Sequence, residues 1–229
     1  MNIAVIQHTL LGDDKADAVA LANAAADATD MGAELVVFSP APVLADLSDG
    51  DPVGKIFEVI GEAQGEEVVY LNPAAVPDGV HIAALPMLGQ TALFVGDACL
   101  DYQEILTASG KKPAVAILCP HSENDMQAEA VLELALGLSS SLAGLIIVVD
   151  SAGAEPGEAG HGGSAIVHLG EMVAEAMGEA DQTLEFQVEL PIPQPEPREL
   201  LPEIPTILSG RLAQHHGEKP GVDYPADLN

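Results

Sequence analysis

The sequence predicts an α/β fold, and three observations predict it. Hydrophobic residues make up 48% of the 229 residues, which is enough for one domain with a real core. Apolar runs typical of buried strands alternate with segments of helical spacing along most of the chain. The chain also opens in the order strand, helix, strand, as a βαβ unit does. We therefore expect one domain of alternating strands and helices.

The opening of the chain has the clearest pattern. Residues 2–7, "NIAVIQ", are predicted as a buried strand, and "AELVVF" as a second one. Between them, Asp13 or Asp14 can cap a helix that Gly32 ends. The helix is indicated by residues that recur at steps of three and four: Val19, Ala22, Ala26 and Thr29.

Turn residues dominate the next part of the chain. "SPAPVLADLSDGDPVG" is predicted as a loop, and "EEVVYLN" as a strand. "PAAVPDGVHIAALP" is predicted as a turn-rich connection, with "PDG" as its sharpest turn signal. "KIFEVIGEAQG" is predicted as a short amphipathic helix with an apolar face of Ile56, Phe57, Val59 and Ile60.

The second half returns to alternating elements. "TALFVG", "KPAVAILCP", "LIIVVD" and "SAIVHL" are predicted strands, and "EMVAEAMGEADQTLEFQVEL" a strand, a turn and a final strand. A helix begins after Asn124 or Ser122, either of which can cap it. Its predicted apolar face is Met126, Ala130, Val131, Leu134 and Leu138.

The composition changes after residue 190. Residues 191–229 are rich in proline, which predicts an extended arm with a short helix at 207–213. We expect the arm to pack on the domain formed by residues 1–190 or on a partner subunit.

Charge and cysteine content limit the partners and the compartment. The sequence has seven Lys and Arg and 36 Asp and Glu, which gives a formal net charge of −29. This charge opposes binding to nucleic acid or to an anionic membrane. No uncharged apolar run reaches the roughly 18 residues of a membrane span, and the N-terminus lacks a signal-peptide pattern. Two cysteines, Cys99 and Cys119, predict free thiols in a reducing compartment, so we expect a cytoplasmic protein.

Cofactor and metal patterns are not found in the sequence. No Walker A or GxGxxG motif follows a predicted strand, and the histidines lack the spacing of a metal-binding motif. We therefore expect neither a cofactor nor a metal.

Three sequence blocks resemble the nitrilase, or carbon–nitrogen hydrolase, superfamily. They are "MNIAVIQ", "GAELVVFSP", and "IIVVDSAG" followed after a loop by "GGSAIVHLGEMVAEA". They occur in the family's order over residues 1 to about 190. The resemblance implies a four-layer α-β-β-α sandwich that usually pairs into dimers. These blocks specify a scaffold, and a scaffold alone does not fix the function.

The resemblance implies catalysis by a Glu, a Lys and a Cys, and this chain departs from that pattern. The Glu position holds Ser39, Pro40 and Ala41, and the segment after "PDG" has His81 but no lysine. "FVGDACLD" offers Cys99 with Asp101 in the family's CxD spacing, which makes Cys99 the candidate nucleophile. Without a gap in the alignment, however, the nucleophile position falls on Gly96.

Two further residues are candidates for lining the pocket. Cys119 and His121 end a predicted strand and could face the same site as Asp101.

A carboxylate near a thiol raises the thiol pKa, so Asp97 opposes activation of Cys99.

Two functions follow from these departures. In the first, the chain has the hydrolase scaffold without standard amidase catalysis, and acts by binding an amide-like or nitrile-like small molecule or by assembling as a homodimer. In the second, it is a divergent amidase with Cys99 as nucleophile, assisted by Asp101, Asp46 or His121. Loss of one member of a catalytic triad costs orders of magnitude in rate, which favours the first.

Overall fold

Two β-sheets pack face to face in the computed structural model. The structure describes residues 1–11, 13–40, 57–63, 66–71, 73, 78–85, 88–150, 152, 161–178, 180–195 and 201–208. No helix among these residues is long and apolar enough to span a membrane.

The first sheet has five strands in the order β11-β1-β2-β4-β3. β1, β2 and β4 run parallel, and β11 and β3 pair antiparallel at the two edges. The strands are β1 (Asn2–Gln7), β2 (Leu35–Phe38), β3 (Phe57–Ala63), β4 (Glu66–Leu71) and β11 (Gln182–Gln187).

The second sheet has six strands in the order β10-β9-β8-β7-β6-β5. β6, β7 and β8 are parallel, so their carboxyl ends meet at one edge of the sheet. The strands are β5 (Gly79–Leu85), β6 (Gly89–Val95), β7 (Val115–Cys119), β8 (Leu145–Val148), β9 (Ala165–His168) and β10 (Glu171–Glu175).

Helices cover the outer face of each sheet. Helix α1 (Asp14–Asp30) packs on the first sheet, while α2 (Tyr102–Ser109) and α3 (Asp125–Ser139) pack on the second. A third apolar cluster, built around residues such as Val5, Leu93 and Ile147, fills the space between the sheets. The layers therefore follow the order helix, sheet, sheet, helix, which confirms the predicted four-layer sandwich.

Two segments differ from their predicted structure. Residues 57–63, predicted as a helix, form strand β3, in which Phe57 lies opposite Leu71. A short apolar run does not distinguish helix from strand, and antiparallel pairing with β4 decides between them here. The second half of the predicted turn-rich connection is strand β5, because Gly79–Leu85 pairs along its whole length with β6.

Helix α1 forms as predicted, but three of the four residues that recur at helical spacing do not face the sheet, and only Thr29 is half-buried. Val19 is 55% exposed, and Ala22 and Ala26 are also exposed, whereas the helix buries Leu21, Ala25 and Ala28. An alanine-rich helix is apolar on most sides, so its spacing alone does not select one face. The predicted ends hold: the Asp13 carboxylate accepts a hydrogen bond from the Ala16 N–H at 3.2 Å, and Gly32 follows the helix with φ +93°.

The predicted face of α3 is confirmed except at its first residue. Met126 is 64% exposed, while the four others are buried. Asn124 is the capping residue, since its side chain accepts a hydrogen bond from the Gln127 N–H. The cap places Met126 in the first turn, ahead of the part of the helix that lies on the sheet.

Described parts of the C-terminal arm lie against the domain. Ile192 is 6% exposed in the core between the sheets, and Leu208 is fully buried under the second sheet's helices. Residues 206–208 form one helical turn, and the rest of the predicted helix at 207–213 falls outside the described residues, as does the predicted loop from residue 41 onward.

Gly144 gives a test of this packing. A Cβ on Gly144 would overlap the carbonyl oxygen of Pro193 and lie 3.5 Å from the Ile192 Cγ2. Gly144→Ala must displace the arm, and we expect it to lower the free energy of unfolding by about 2 kcal/mol. Urea denaturation followed by circular dichroism measures the change. Gly110→Ala is the control, because that Cβ would meet only the Thr107 carbonyl at 3.4 Å. Equal stability of the two variants would contradict the packing.

Candidate functional site

The carboxyl ends of β6, β7 and β8 bring several polar residues to one edge of the second sheet. Val95 lies opposite Cys119, and Leu118 lies opposite Val148. Gly96, Cys119 and Asp150 therefore follow one another across three adjacent strand ends. In open α/β sheets, ligands bind at this end of the strands.

Gly96 adopts a backbone conformation that favours glycine. Its φ is +62°, and it opens a 3-10 helix, Gly96–Leu100, directly after β6. A Cβ placed on Gly96 would lie 2.5 Å from Oδ2 and 2.6 Å from Cγ of Asp78. The Asp78 carboxylate thus occupies the space into which a side chain at position 96 would project.

Asp78 is a site residue that the sequence reasoning missed. In the sequence, Asp78 stands out only as part of the "PDG" turn signal. Its position beside Gly96 follows from the pairing of β5 with β6, in which Gly79 lies opposite Val95. A sequence analysis that predicts β5 as a strand could therefore have found Asp78.

The candidate nucleophile Cys99 lies in the helix-covered core. Cys99 is fully buried, and its thiol donates a hydrogen bond to the Phe94 carbonyl oxygen at 3.2 Å. It belongs to the apolar cluster that α2 and α3 form with the outer face of the second sheet. Asp101, two residues later, caps α2 by accepting hydrogen bonds from the N–H groups of Gln103 and Glu104.

Cys119 lies on the other face of the same sheet. It is fully buried in the core between the two sheets. Burial raises the pKa of the Cys119 thiol well above its ordinary value, and negative charge on Cys99, Asp150 and Asp78 raises it further. The thiolate is the nucleophilic form, so a raised pKa keeps Cys119 in its unreactive form at neutral pH.

The raised pKa of Cys119 predicts a loss of stability at alkaline pH. In the unfolded chain the thiol ionises near its ordinary value, about 9.0, whereas in the folded protein it stays protonated to higher pH. The contribution of the Cys119 thiol to the free energy of unfolding is therefore fully present below pH 9. It decreases as the pH rises from 9 toward the folded-state pKa. Urea denaturation between pH 8 and 10.5 measures this slope. Cys119→Ala should have a shallower slope than Cys99→Ala, and equal slopes would contradict the assignment.

His121 and Ser122 follow β7 at the same edge. His121 is half-buried and has φ +53°. The backbone N–H of Ser122 donates to Oδ2 of Asp150 at 2.7 Å, which ties the end of β7 to the end of β8. The Ser122 hydroxyl is buried and has no hydrogen-bond partner among the described residues. Of the three predicted pocket residues, Cys119 and His121 both lie at the end of β7, and Asp101 caps α2.

A hydrogen-bond network centred on Gln7 and Ser164 holds the backbone at the carboxyl end of β8. The Gln7 amide donates to the carbonyl oxygens of Gly178 and Ala180, and its oxygen accepts from the Ser164 N–H at 3.0 Å. The Ser164 hydroxyl in turn bonds both backbone polar groups of Asp150. The network joins β1 of the first sheet to the loops of the second.

A second polar cluster follows β1. His8 is 4% exposed, and its Nε2 lies 2.8 Å from Oδ1 of Asp17, which is also buried. The His8 Nδ1 lies 3.4 Å from Oδ1 of Asp181. The sequence reasoning did not predict this cluster, because nothing in "QHTLLGDDKAD" indicates that the helix turns Asp17 inward.

The remaining candidates occupy separate places. His81 lies half-buried on β5, and Asp46 lies outside the described residues. In the ranges that the structure describes, no three His, Cys, Asp or Glu side chains converge on a point that could hold a metal ion.

Comparisons with known proteins identify the fold. No protein-family model and no curated protein sequence matches the chain. Solved structures of an amidase from Nesterenkonia sp. AN1 do match. One is a Glu-to-Gln mutant carrying acrylamide on its active site cysteine, with 17% identity, a TM-score of 0.57, and coverage of 95% of this chain and 98% of that one.

Two more structures of that amidase agree. The amidase after removal of its His-tag gives 16% identity and a TM-score of 0.56, with 95% and 98% coverage. A Cys-to-Ser mutant, described as an amidase from the nitrilase superfamily, gives 17% identity and a TM-score of 0.56, with 95% and 96% coverage. The chain therefore has the fold of a nitrilase-superfamily amidase, as the three sequence blocks predict.

Proposed function

We propose that this chain is a divergent member of the nitrilase superfamily that lacks standard amidase catalysis and works by binding a small molecule. The fold and the three sequence blocks support the membership. The loss of catalytic groups supports the second part, and it concerns Gly96, the two cysteines and the missing lysine.

The arrangement of Gly96 and Asp78 carries the proposal. Gly96 follows β6 where the ungapped resemblance places the nucleophile, and its positive φ is typical of a sharp turn after a strand. The carboxylate of Asp78 occupies the volume that the nucleophile's side chain would need. A carboxylate beside that position also raises the pKa of a thiol, which opposes thiolate formation.

The two thiols of the chain offer no substitute. Cys99 is enclosed on the helix side of the sheet, so an amide carbon cannot approach its sulfur without displacing core residues. Cys119 is buried as well, and the raised pKa of its thiol keeps the nucleophilic form scarce. The sequence also has no lysine in the segment between the "PDG" turn and β6 to stabilise a tetrahedral intermediate.

Thiol labelling together with amide turnover tests this proposal. We expect iodoacetamide at pH 7 to modify neither cysteine of the native protein, and both cysteines after denaturation. We expect no ammonia release from acrylamide, propionamide or butyramide above the rate of the Cys99→Ala variant. Turnover in the wild type that disappears in Cys99→Ala would establish the alternative, a divergent amidase with Cys99 as nucleophile.

We also propose an assembly for the chain. Residues 1–190 would form the domain and 191–229 the arm, and two copies would form a homodimer. Exposed Tyr102 and Leu106, one turn apart on α2, support an apolar contact surface on the helix layer of the second sheet. Light scattering coupled to size-exclusion chromatography measures the mass, and a monomer at micromolar concentration would contradict the dimer.

A further inference from the structure

We propose that two copies of the chain pair through strand β5, with the two β5 strands antiparallel and the two six-stranded sheets joined into one. This inference rests on the homodimer proposed above and specifies the surface through which it forms. Of the four edge strands that the structure describes, β5 alone lacks the features that keep a sheet edge from pairing with another chain.

The other three edge strands carry glutamates. They are Glu171 and Glu175 in β10, Glu58 and Glu62 in β3, and Glu185 in β11. The pairing of β10 with β9 and that of β3 with β4 also contain a register shift, as a β-bulge produces. Charged side chains and bulges are the means by which natural proteins prevent edge-to-edge pairing. These three edges are therefore protected.

Strand β5 has none of these features. Its sequence, "GVHIAAL", contains no carboxylate, lysine, arginine or proline. Its pairing with β6 runs from Gly79 to Leu85 without a register shift, and within the described ranges no strand other than β6 pairs with it. Residues 79–83 are half-buried, and Ala84 is exposed. A regular, uncharged edge of seven residues is a template on which another strand can pair.

The charge of the chain favours an antiparallel arrangement of the two strands. Two copies that each carry a formal net charge of −29 repel one another, so their contact needs a surface without carboxylates. Asp78, which precedes β5, is exposed. In an antiparallel pair centred on Ile82, the two Asp78 residues lie roughly 27 Å apart along the strands, at about 3.4 Å per residue. This separation exceeds the Debye length of about 8 Å, whereas a parallel pair would place the two carboxylates side by side.

Helix α2 adds apolar surface next to this edge. It contacts β5 on the outer face of the second sheet, and its Tyr102 and Leu106 are 38% and 48% exposed. The two-fold axis of an antiparallel pair is perpendicular to the joined sheet, so both α2 helices lie on the same face of it. A stable interface buries about 800 Å² on each partner, which is more than one strand edge supplies. We therefore expect α2 to form part of the interface.

A cysteine at the centre of β5 tests the pairing directly. Residues directly opposite each other in an antiparallel pair have Cα atoms about 4.5–5.5 Å apart, a distance that a disulfide spans. Residue 82 lies opposite its own copy in the proposed dimer, so Ile82→Cys should give a disulfide-linked dimer on a non-reducing gel after mild oxidation. Val173→Cys is the matched control, because Val173 is exposed on β10 at the other edge of the same sheet. The wild type gives the background, since Cys99 and Cys119 are fully buried.

A charge on the same edge tests the pairing without a disulfide. Ala84 would lie opposite residue 80 of the second copy, so Ala84→Glu brings an unpaired carboxylate from each copy into the interface. We expect dimerisation to weaken at least about tenfold, because an unpaired charge is costly to bury. Val173→Glu makes the same change of charge on β10 and should leave dimerisation unchanged. Sedimentation equilibrium measures the dissociation constants, and thermal melting checks that each variant folds.

The outcomes separate this pairing from the homodimer on which it rests. A wild type that stays monomeric at micromolar concentration would overturn both. A wild-type dimer in which Ile82→Cys cross-links no faster than Val173→Cys would overturn the β5 pairing alone, and the homodimer would then form through another surface. Equal dissociation constants for Ala84→Glu and Val173→Glu would do the same.

Discussion

Replacing Gln7 with leucine is expected to lower the free energy of unfolding by about 3–5 kcal/mol, although the two side chains are of similar size. The Gln7 amide is 1% exposed and forms three hydrogen bonds, to Ser164, Gly178 and Ala180. Leucine would leave three backbone groups without these partners. An unpaired polar group costs about 1–3 kcal/mol when it is buried, as the Ser164 N–H is, and about 1 kcal/mol each for the two part-buried carbonyls, which together gives about 3–5 kcal/mol.

Urea denaturation of the wild type and of the Gln7→Leu variant measures the difference in their free energies of unfolding. Gln187→Leu is the matched control, because Gln187 is exposed at the edge of the same sheet. The control should leave the midpoint nearly unchanged. If both variants had the same midpoint, water or new backbone partners would be replacing the amide, and the network would not have the role that its geometry indicates.

The same network explains why Gln7 affects the carboxyl end of β8, which lies on the other sheet. Gln7 fixes Ser164, and Ser164 fixes the backbone of Asp150, whose carboxylate bonds Ser122. The chain separation of these partners, 157 residues between Gln7 and Ser164, is why composition and local spacing do not predict the contact.

Local sequence patterns predicted most strands and helices because their apolar residues are contiguous or evenly spaced. They failed where long-range pairing decides the structure. The segment at 57–63 forms a strand because β4 lies beside it, and α1 turns Leu21 inward and Val19 outward because of where the sheet lies. Neither fact is present in the local sequence.

The site was predicted less completely, for a related reason. The CxD spacing favoured Cys99, whereas the ungapped resemblance pointed to Gly96. The structure places Cys99 in the helix-covered core and Gly96 at the strand end. The relation between Asp78 and Gly96 depends on the β5–β6 pairing, and β5 was predicted as a connection. A sequence pattern can indicate that a catalytic group is missing, but the group that fills its place depends on tertiary contacts.

Replacing Asp17 with alanine is expected to lower the free energy of unfolding by about 3 kcal/mol. Asp17 is 4% exposed, and its Oδ1 contacts both the His8 ring at 2.8 Å and the Leu11 N–H at 2.9 Å. Without it, the Leu11 N–H loses its acceptor, and buried His8 keeps only Asp181, whose side chain is 63% exposed. Removing one partner of a buried polar pair is costly because the other remains desolvated.

Two further variants separate this effect from helix propensity and from charge. Asp27→Ala makes the same substitution at an exposed position of α1, where alanine favours the helix and stability should not fall. Asp17→Asn keeps one oxygen acceptor and should lose about half as much stability as Asp17→Ala. Thermal and urea denaturation at pH 7 measure all three. A ranking in which Asp17→Ala matches Asp27→Ala would mean that His8 and Leu11 find other partners, and that the end of β1 is held to α1 by apolar packing alone.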